Sequence, residues 1–392
     1  MSTNFVMATE APESQLVLVV DDDPMITDGL AAGLEREGRT LIICNDIESA
    51  EMMVERFHPS HVVADIRLSG PFSFEGLDFV RYVGRHAPST RVILMSGDTP
   101  EALQLEGSER GAVAFLKKPF EVRELDNILN LISCSPLSMG GDDQRLIRVP
   151  LIDEIIRSAD LRSFFQPIVT LDANDTVIGY ESLARYRSDS PLRNPDMLFT
   201  YAGKKDRVAD LEFACISGAL ATANSVSRSG LIFLNVHPAV FATGRELADT
   251  LERYAILGDV SLERIVLEIT EQGELPDTRT MIETIDYLRD IGVRFALDDV
   301  GVAYSHLPLI GKIRPSFLKI SQHFGTGFER DPAKMKLVSN ITSLAQDFGC
   351  DVILEGIEER STAKAAAALG IALGQGYLFG RPADPVDRGV GH

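Results

Sequence analysis

Short apolar runs alternate with amphipathic stretches along the first third of the chain. Leu16–Val20, Leu41–Cys44, His61–Ala64, Arg91–Met95 and Ala112–Leu116 have the length and composition of strands. Between them, stretches such as Pro24–Glu37 and Ile47–Phe57 repeat apolar residues at helical spacing. Five such strand–helix units predict an open parallel sheet with helices on both faces. The pattern lapses at Ser133–Asp143, where SCSPLSMGGDD marks a linker. Beyond it come eight more strand candidates: Phe164–Pro167, Val177–Ala184, Leu231–Val236, Ile265–Ile269, Arg294–Asp298, Phe317–Ile320, Asp351–Leu354 and Tyr377–Phe379. Helical stretches separate most of them, which predicts a (β/α)8 barrel. The division is therefore a flexible start over 1–14, a first domain over 15–132, a linker over 133–148 and a barrel over 149–388.

Composition narrows the function classes. The 392 residues are 45% hydrophobic and 24% charged, ordinary for a globular protein, and the length suits two domains. Asp plus Glu number 58 against 38 Lys plus Arg, a net charge of −20, so general nucleic-acid binding is disfavoured. With the barrel occupying the rest of the chain, no helix-turn-helix remains for DNA. No apolar run has the length of a membrane span, and Met1–Ser14, polar and carrying Glu10 and Glu13, lacks the pattern of a signal peptide. Cys44, Cys134, Cys215 and Cys350 form no metal-ligand spacing and are expected to be reduced, small packing residues in a cytoplasmic protein.

Ligands of open parallel sheets bind beyond the carboxyl ends of the strands. In the first domain those ends carry Asp21, Asp22 and Asp23, then Asp65, Ser96, and Lys117–Lys118. Carboxylates gathered there can hold a hard divalent cation, and an ammonium can pair with a phosphoryl group beside it. Helix capping accounts for one Asp but not for the whole set. The stretches LVLVVDDDP, VVADIRL, VILMSG and FLKKPF resemble the receiver domain of two-component response regulators, over Leu16–Ile132. The resemblance implies a flavodoxin-like, doubly wound fold, with Asp65 as phosphoacceptor and Asp21, Asp22 and Asp65 around one Mg²⁺. Ser96 and Lys118 would contact the phosphoryl group, Phe115 would be the aromatic switch, and a sensor histidine kinase would be the partner. The loop IRLSGPFSFE between Asp65 and Gly76 is about three residues longer than the usual receiver pattern.

Barrel active sites also lie at the carboxyl ends of strands. The polar residues at those ends are Glu181, Asn235, Glu268, Asp298, Asp299, Lys319, Glu355 and Gln375. Each alone reads as a cap or a solvated side chain. Together, in apolar contexts such as IVLEIT, FALDDV and VILEGIE, they form an all-oxygen set with one ammonium. Such a set favours Mg²⁺ or Mn²⁺ over zinc, and two cations bridged by Asp298 would suit in-line displacement at phosphorus, with Lys319 adding positive charge. The motifs FQPI, ESLAR, LNVHP, LEITE, LDDVG, LKI, LEGIE and QGYLFGRP, in this order over Val149–Pro385, resemble the EAL family of cyclic di-GMP phosphodiesterases.

The resemblance implies a TIM-type barrel in which Glu181, Asn235, Glu268, Asp298 and Asp299 ligate two Mg²⁺ or Mn²⁺. Glu355 would be the general base or position water, Lys319 would stabilise the attacking water or phosphate, and Glu271 and Glu358 would complete the catalytic set. Gln166, Leu183, Arg185 and Gln375 would hold the dinucleotide, which would be hydrolysed to pGpG. A homodimer is the family's expectation. Three positions depart from the family pattern. Ser321 stands where an Asp follows the Lys-Ile pair, Asp299–His306 reads DVGVAYSH with Val300, Val302, Ala303 and His306 as replacements, and Ser316 replaces another Asp. Ser321 is a weaker cation ligand than a carboxylate. A binding module that senses cyclic di-GMP, or a scaffold acting through protein contacts, is therefore the alternative to a phosphodiesterase. His237, His306 and His323 stand where small polar residues are usual, and strand alternation puts His237 on the face of Asn235. Lys204 and Lys205, with Arg185, Arg187 and Arg193, would either soften the acidic surface for an anionic ligand or be solvated.

Overall fold

A computed structural model describes residues 15–68, 75–97, 107–132, 145–269, 278–301 and 307–385. The chain forms two compact units: residues 1–155 with Ser188–Lys205, and Ile156–Arg187 with Asp206 onward.

The sheet of the first unit contains β1 (Gln15–Val20), β2 (Arg39–Cys44), β3 (His61–Asp65), β4 (Arg91–Ser96), β5 (Ala112–Lys117) and β6 (Arg145–Arg148), in the order β5-β4-β3-β1-β2-β6. All pairings are parallel. The strands are nearly continuous apolar runs because helices cover both faces. These helices are α1 (Pro24–Leu34), α2 (Ile47–Phe57), α3 (Glu75–His86) and α4 (Val122–Leu131). Val17, Val19, Leu41, Ile43, Val63, Ile93 and Met95 pack beneath Leu30, Leu34, Leu125 and Leu129. The sixth strand comes from the end of the segment read as linker: RLIR runs parallel to Thr40–Ile43 and covers the edge of β2. Ser188–Lys205 contributes α6 (Pro195–Lys204), numbered after α5 (Ile152–Arg157).

The second unit is a closed eight-stranded barrel of β7 (Leu161–Thr170), β8 (Val177–Tyr186), β9 (Leu231–Val236), β10 (Ile265–Ile269), β11 (Arg294–Val300), β12 (Phe317–Ile320), β13 (Asp351–Leu354) and β14 (Leu373–Gln375). Its helices are α7 (Val208–Val226), α8 (Arg245–Leu257), α9 (Thr278–Asp290), α10 (Leu307–Ile313), α11 (Gln322–Gly325), α12 (Pro332–Asp347) and α13 (Arg360–Ala368).

Two features depart from the expected (β/α)8 pattern. First, β7 runs antiparallel to both neighbours, β8 and β14. The six residues LDANDT between β7 and β8 are too few for a crossover helix, and Asp175 takes a left-handed φ of 47° in that turn. Second, the last strand is Leu373–Gln375, whereas Tyr377–Phe379 forms a turn in which the Gly380 N–H donates to the carbonyl of Gly376. The Gly–Gln–Gly run reads poorly as strand, yet only glycine fits. A Cβ at Gly374 would lie 2.7 Å from Ile357 and Leu171, and one at Gly376 would lie 2.1 Å from the Ile357 carbonyl oxygen. Among the described residues no helix is long and apolar enough to cross a membrane. Cys44 and Cys350 are buried and Cys215 half-buried, as packing residues should be; Cys134 lies outside the described residues.

Candidate active site

The barrel interior is plugged by one apolar residue from seven strands: Ile168, Phe233, Val266, Ala296, Phe317, Ile353 and Leu373. Side chains alternate along a strand, so the second residue further on faces the same interior. Two residues past each plug, toward the carboxyl end of the parallel strands, stand Asn235, Glu268, Asp298, Lys319, Glu355 and Gln375. On the reversed β7 the same step runs backwards, from Ile168 to Gln166. Gln166 pairs in register with Glu181, and Glu268 with Asn235. Eight polar groups thus form one ring directly above an apolar floor, at the end of the barrel where sites are built.

Lys319 is the hub of the ring. Its side chain is fully buried, and Nζ lies 2.9 Å from Glu268, 2.8 Å from Glu355, 3.4 Å from Glu181 and 3.5 Å from Asp298. Asn235 Nδ2 donates to Glu181 Oε1 at 2.9 Å, and Gln375 Nε2 to Glu181 Oε2 at 2.6 Å. Gln375 Nε2 also reaches Gln166 Oε1 at 3.2 Å, while Gln166 Nε2 holds the Gly380 carbonyl at 3.1 Å. Burial alone would raise Glu181, but Lys319 and these amides outweigh it and hold its carboxyl below the ordinary range. Burial pushes Glu268 well above that range and Glu355 up to about 8, with the neighbouring carboxylates adding to both. Asp298 is raised for the same reasons.

The chemistry of these groups suits a divalent cation, although Lys319 Nζ stands among the carboxylates and, among the described residues, only Asp21, Asp22 and Asp65 gather ligand oxygens within 4.8 Å of one another. Glu268 is fully buried, and although Lys319 is close, neither carboxylate oxygen receives a well-directed hydrogen bond. Four carboxylates around a single ammonium leave an excess of negative charge that either protons or cations must offset. The donors are oxygen only, which suits Mg²⁺ or Mn²⁺.

Residues 152–382 match the EAL domain, and residues 17–130 match the response regulator receiver domain. The chain belongs to the EAL family. It is 26% identical to the cyclic di-GMP phosphodiesterase RocR of Pseudomonas aeruginosa, over 93% of this chain and 95% of RocR. Its structure resembles that of the EAL enzyme Bd1971 in the form bound to cAMP and cyclic di-GMP, with 28% identity, a TM-score of 0.54, and coverage of 60% of this chain and 66% of that one. The manganese and cyclic di-GMP complex of BlrP1 from Klebsiella pneumoniae shares the fold at 22% identity and a TM-score of 0.52, covering 58% of this chain and 57% of that one.

Other expected residues of the EAL domain fall as follows. Asp299 follows Asp298 at a break in the β11–β12 register and adopts a left-handed φ of 54°. That irregularity overrides strand alternation, and the Asp299 N–H closes onto Asp298 Oδ1 at 2.9 Å. Leu183 and Arg185 continue the face of Glu181 along β8, and the Arg185 guanidinium donates to the Ala184 carbonyl at 2.8 Å. Of the two glutamines expected to help hold the dinucleotide, Gln375 donates to Glu181 and to Gln166, and Gln166 holds the Gly380 carbonyl. Glu358 is exposed, and Glu271 and His306 lie outside the described residues. Ser321 is buried at the start of α11, and its hydroxyl does not cap that helix. Glu212 on α7 went unnoticed in the sequence because a single Glu in a helix carries no motif. It is buried, accepts the His237 N–H at 2.9 Å, and is pushed up to about 8 by that burial. Burial lowers the His237 imidazole.

The receiver site is also assembled. Ligand oxygens of Asp21, Asp22 and Asp65 lie within 4.8 Å of one another, and Lys118 Nζ is 2.6 Å from both Asp21 Oδ2 and Asp65 Oδ2. Burial raises Asp21 and Asp22 above the usual carboxylate range, an arrangement that suits a divalent cation. Asp23, the last of the three consecutive aspartates after β1, caps α1, accepting the Met25 N–H at 2.9 Å. Ser96 is buried beside the site, its carbonyl accepting the Lys118 N–H at 2.7 Å, and Phe115 is half-buried.

Proposed function

We propose that the protein is a response regulator that hydrolyses one phosphodiester of cyclic di-GMP to pGpG, under the control of phosphorylation at Asp65. The observation that carries this reading is the ring of Gln166, Glu181, Asn235, Glu268, Asp298, Lys319, Glu355 and Gln375 at one mouth of an EAL barrel. Likeness to RocR over nearly the whole of both chains supports the combination with a receiver.

In this reading Glu181, Asn235, Glu268, Asp298 and Asp299 hold Mg²⁺ or Mn²⁺, two ions in all, and one Mg²⁺ binds at Asp21, Asp22 and Asp65. When bound, the barrel cations supply Lewis-acid activation and neutralise charge at phosphorus. Gln375 and Asn235 fix both oxygens of Glu181. Glu355 takes the proton of the attacking water as the new P–O bond forms and the bond to the ribose 3′ oxygen breaks, and the departing 3′ oxygen takes a proton from solvent water to leave as the hydroxyl. Lys319 stabilises negative charge on the phosphate. Leu183 and Arg185 bind the dinucleotide. A sensor histidine kinase supplies the phosphoryl group, and the protein works as a homodimer in a cytoplasmic setting.

Ser321 favours a second reading, in which cyclic di-GMP is bound without turnover, because a hydroxyl stands at this buried position, two residues beyond Lys319, where the family pattern has a carboxylate. Turnover of cyclic di-GMP with Mg²⁺ or Mn²⁺, alongside Glu181→Ala, separates the two. Production of pGpG that disappears in the variant establishes the enzyme. Tight binding with no product, with or without phosphorylation, establishes the sensor.

A further inference from the structure

The EAL match begins at residue 152, yet its segment Ser188–Lys205 is structurally part of the unit that contains the receiver sheet. Within that unit α6 is fastened to the first turns of α2. Tyr201 is fully buried, and its hydroxyl donates to Asp46 Oδ2. Lys205 Nζ lies 2.7 Å from Glu48 and 3.4 Å from Asp46 Oδ2. Lys204 Nζ lies 2.8 Å from Glu51 and 5.5 Å from the ring centroid of Tyr82 on α3. Each charge also suits its own helix, since the acids sit in the early turns of α2 and the lysines at the end of α6.

The α2 end of this contact is joined to the phosphoacceptor site. Asp46 caps α2 through Oδ1, accepting the Ser49 N–H at 2.8 Å. Its neighbour Asn45 donates from Nδ2 to the Asp21 carbonyl at 2.8 Å, and Asp21 shares Lys118 with Asp65. The other end is joined by the chain itself to the active site. Ser188 follows two residues after β8, the strand of Glu181, and Asp206 leads into α7, the helix of Glu212. Arg187 at the exit of β8 is 3.7 Å from the buried Asp384, and Arg162 is 3.1 Å from it.

We propose that Tyr201, Lys204 and Lys205 form a latch by which the receiver grips the segment between β8 and α7 and so controls the geometry around Glu181. Phosphorylation of Asp65 adds negative charge beside Lys118 and Asp21 and re-pairs them. Asn45 passes that change to Asp46, the acceptor shared by Tyr201 and Lys205. The latch is thereby tightened or released, and β8 follows because α6 is tethered to it by a short connection. Its effect on turnover rests on the phosphodiesterase reading; its effect on the docking of α6 does not.

The full-length protein tests both parts. The variants are Lys204→Glu with Lys205→Glu, Glu48→Lys with Glu51→Lys, and all four substitutions together. Each is measured with and without acetyl phosphate, with Asp65→Asn as the unphosphorylated control. Hydrogen exchange of residues 195–204 should rise on the order of tenfold in either reversed pair, return toward wild type in the fourfold swap, and respond to phosphorylation only where the latch is intact. The response of turnover to acetyl phosphate should be lost in the reversed pairs and restored in the swap. Unchanged exchange in the reversed pairs, or a wild-type turnover response persisting in them, overturns the latch. If wild-type protein makes no pGpG, the phosphodiesterase reading fails, and exchange still decides the latch: a phosphorylation response at 195–204 that is lost on reversal supports it, and no response overturns it.

Discussion

Replacing Glu212 with Gln tests whether the buried acid that accepts the His237 N–H is held neutral. Glu212 is 4% exposed, and no cation stands among the causes of its shift, so burial lifts it from 4.5 to about 8 against a single hydrogen bond from His237. The folded protein therefore keeps this proton at pH values where the unfolded chain has lost it. Between these two values the folded state binds one more proton than the unfolded state, so stability falls as pH rises. The contribution is fully present below 4.5 and lost once pH passes about 8. At about 1.4 kcal/mol per unit, the wild type gives up roughly 3 kcal/mol by pH 7 and about 5 kcal/mol above pH 8. Glu212→Gln keeps an oxygen to accept the His237 N–H and abolishes the titration. The amide's second N–H adds a constant offset, so the slope and not the absolute difference is diagnostic. The chain contains no tryptophan, so unfolding in urea is followed by circular dichroism at pH 5.0 to 8.5. The variant's advantage should grow by a few kcal/mol across this range. Two stability curves that stay parallel would refute a neutral Glu212.

Three further perturbations address the ring and its supports. Ser321→Asp restores a carboxylate at a buried position and should tighten Mn²⁺ binding on the order of tenfold by calorimetry, an unchanged affinity showing that this side chain does not reach the cation. Lys319→Met leaves Glu181, Glu268, Asp298 and Glu355 without their shared ammonium and should cost roughly 3–5 kcal/mol in metal-free protein. Added Mn²⁺ should raise the melting temperature more in that variant than in wild type, and equal increments would argue against a cation site among these carboxylates. Gly325→Ala puts a Cβ 1.8 Å from the Glu355 carbonyl oxygen, so it should lower stability by about 1–3 kcal/mol and reduce turnover; turnover equal to wild type would show that the Glu355 backbone need not hold its position.

The parts of this architecture visible in the sequence are those governed by local periodicity. Polar residues two positions beyond a buried apolar residue, on strand after strand, are enough to place Asn235, Glu268, Asp298, Lys319 and Glu355 on one face. The reversed β7 was also signalled, since Asn174–Asp175 between two strand-like runs favours a tight turn, but the regularity of the later βα units obscured it. The last strand was not signalled. Aromatic Tyr377–Phe379 has the greater strand propensity, whereas Leu373–Gln375 is a strand because Ile357 leaves no room for a side chain at the flanking glycines. That constraint comes from residues elsewhere in the chain, and a local pattern cannot carry it.

Lys204 and Lys205 show the same limit in the charged residues. Their sequence context fits a solvated face or an anion-binding surface equally well, yet both are paired with acids more than 150 residues earlier. Propensity and alternation report which face of an element is buried; they do not report what meets it. The identity of the partner is nevertheless what turns a surface lysine into a possible route for control. A lysine held by solvent can be exchanged for glutamate at little cost, whereas one held by Glu48 or Glu51 meets a like charge, which the reciprocal exchange on α2 would relieve. Rescue by the swapped charges, and not the loss caused by either reversal, therefore distinguishes a specific contact from a general electrostatic effect of this acidic chain.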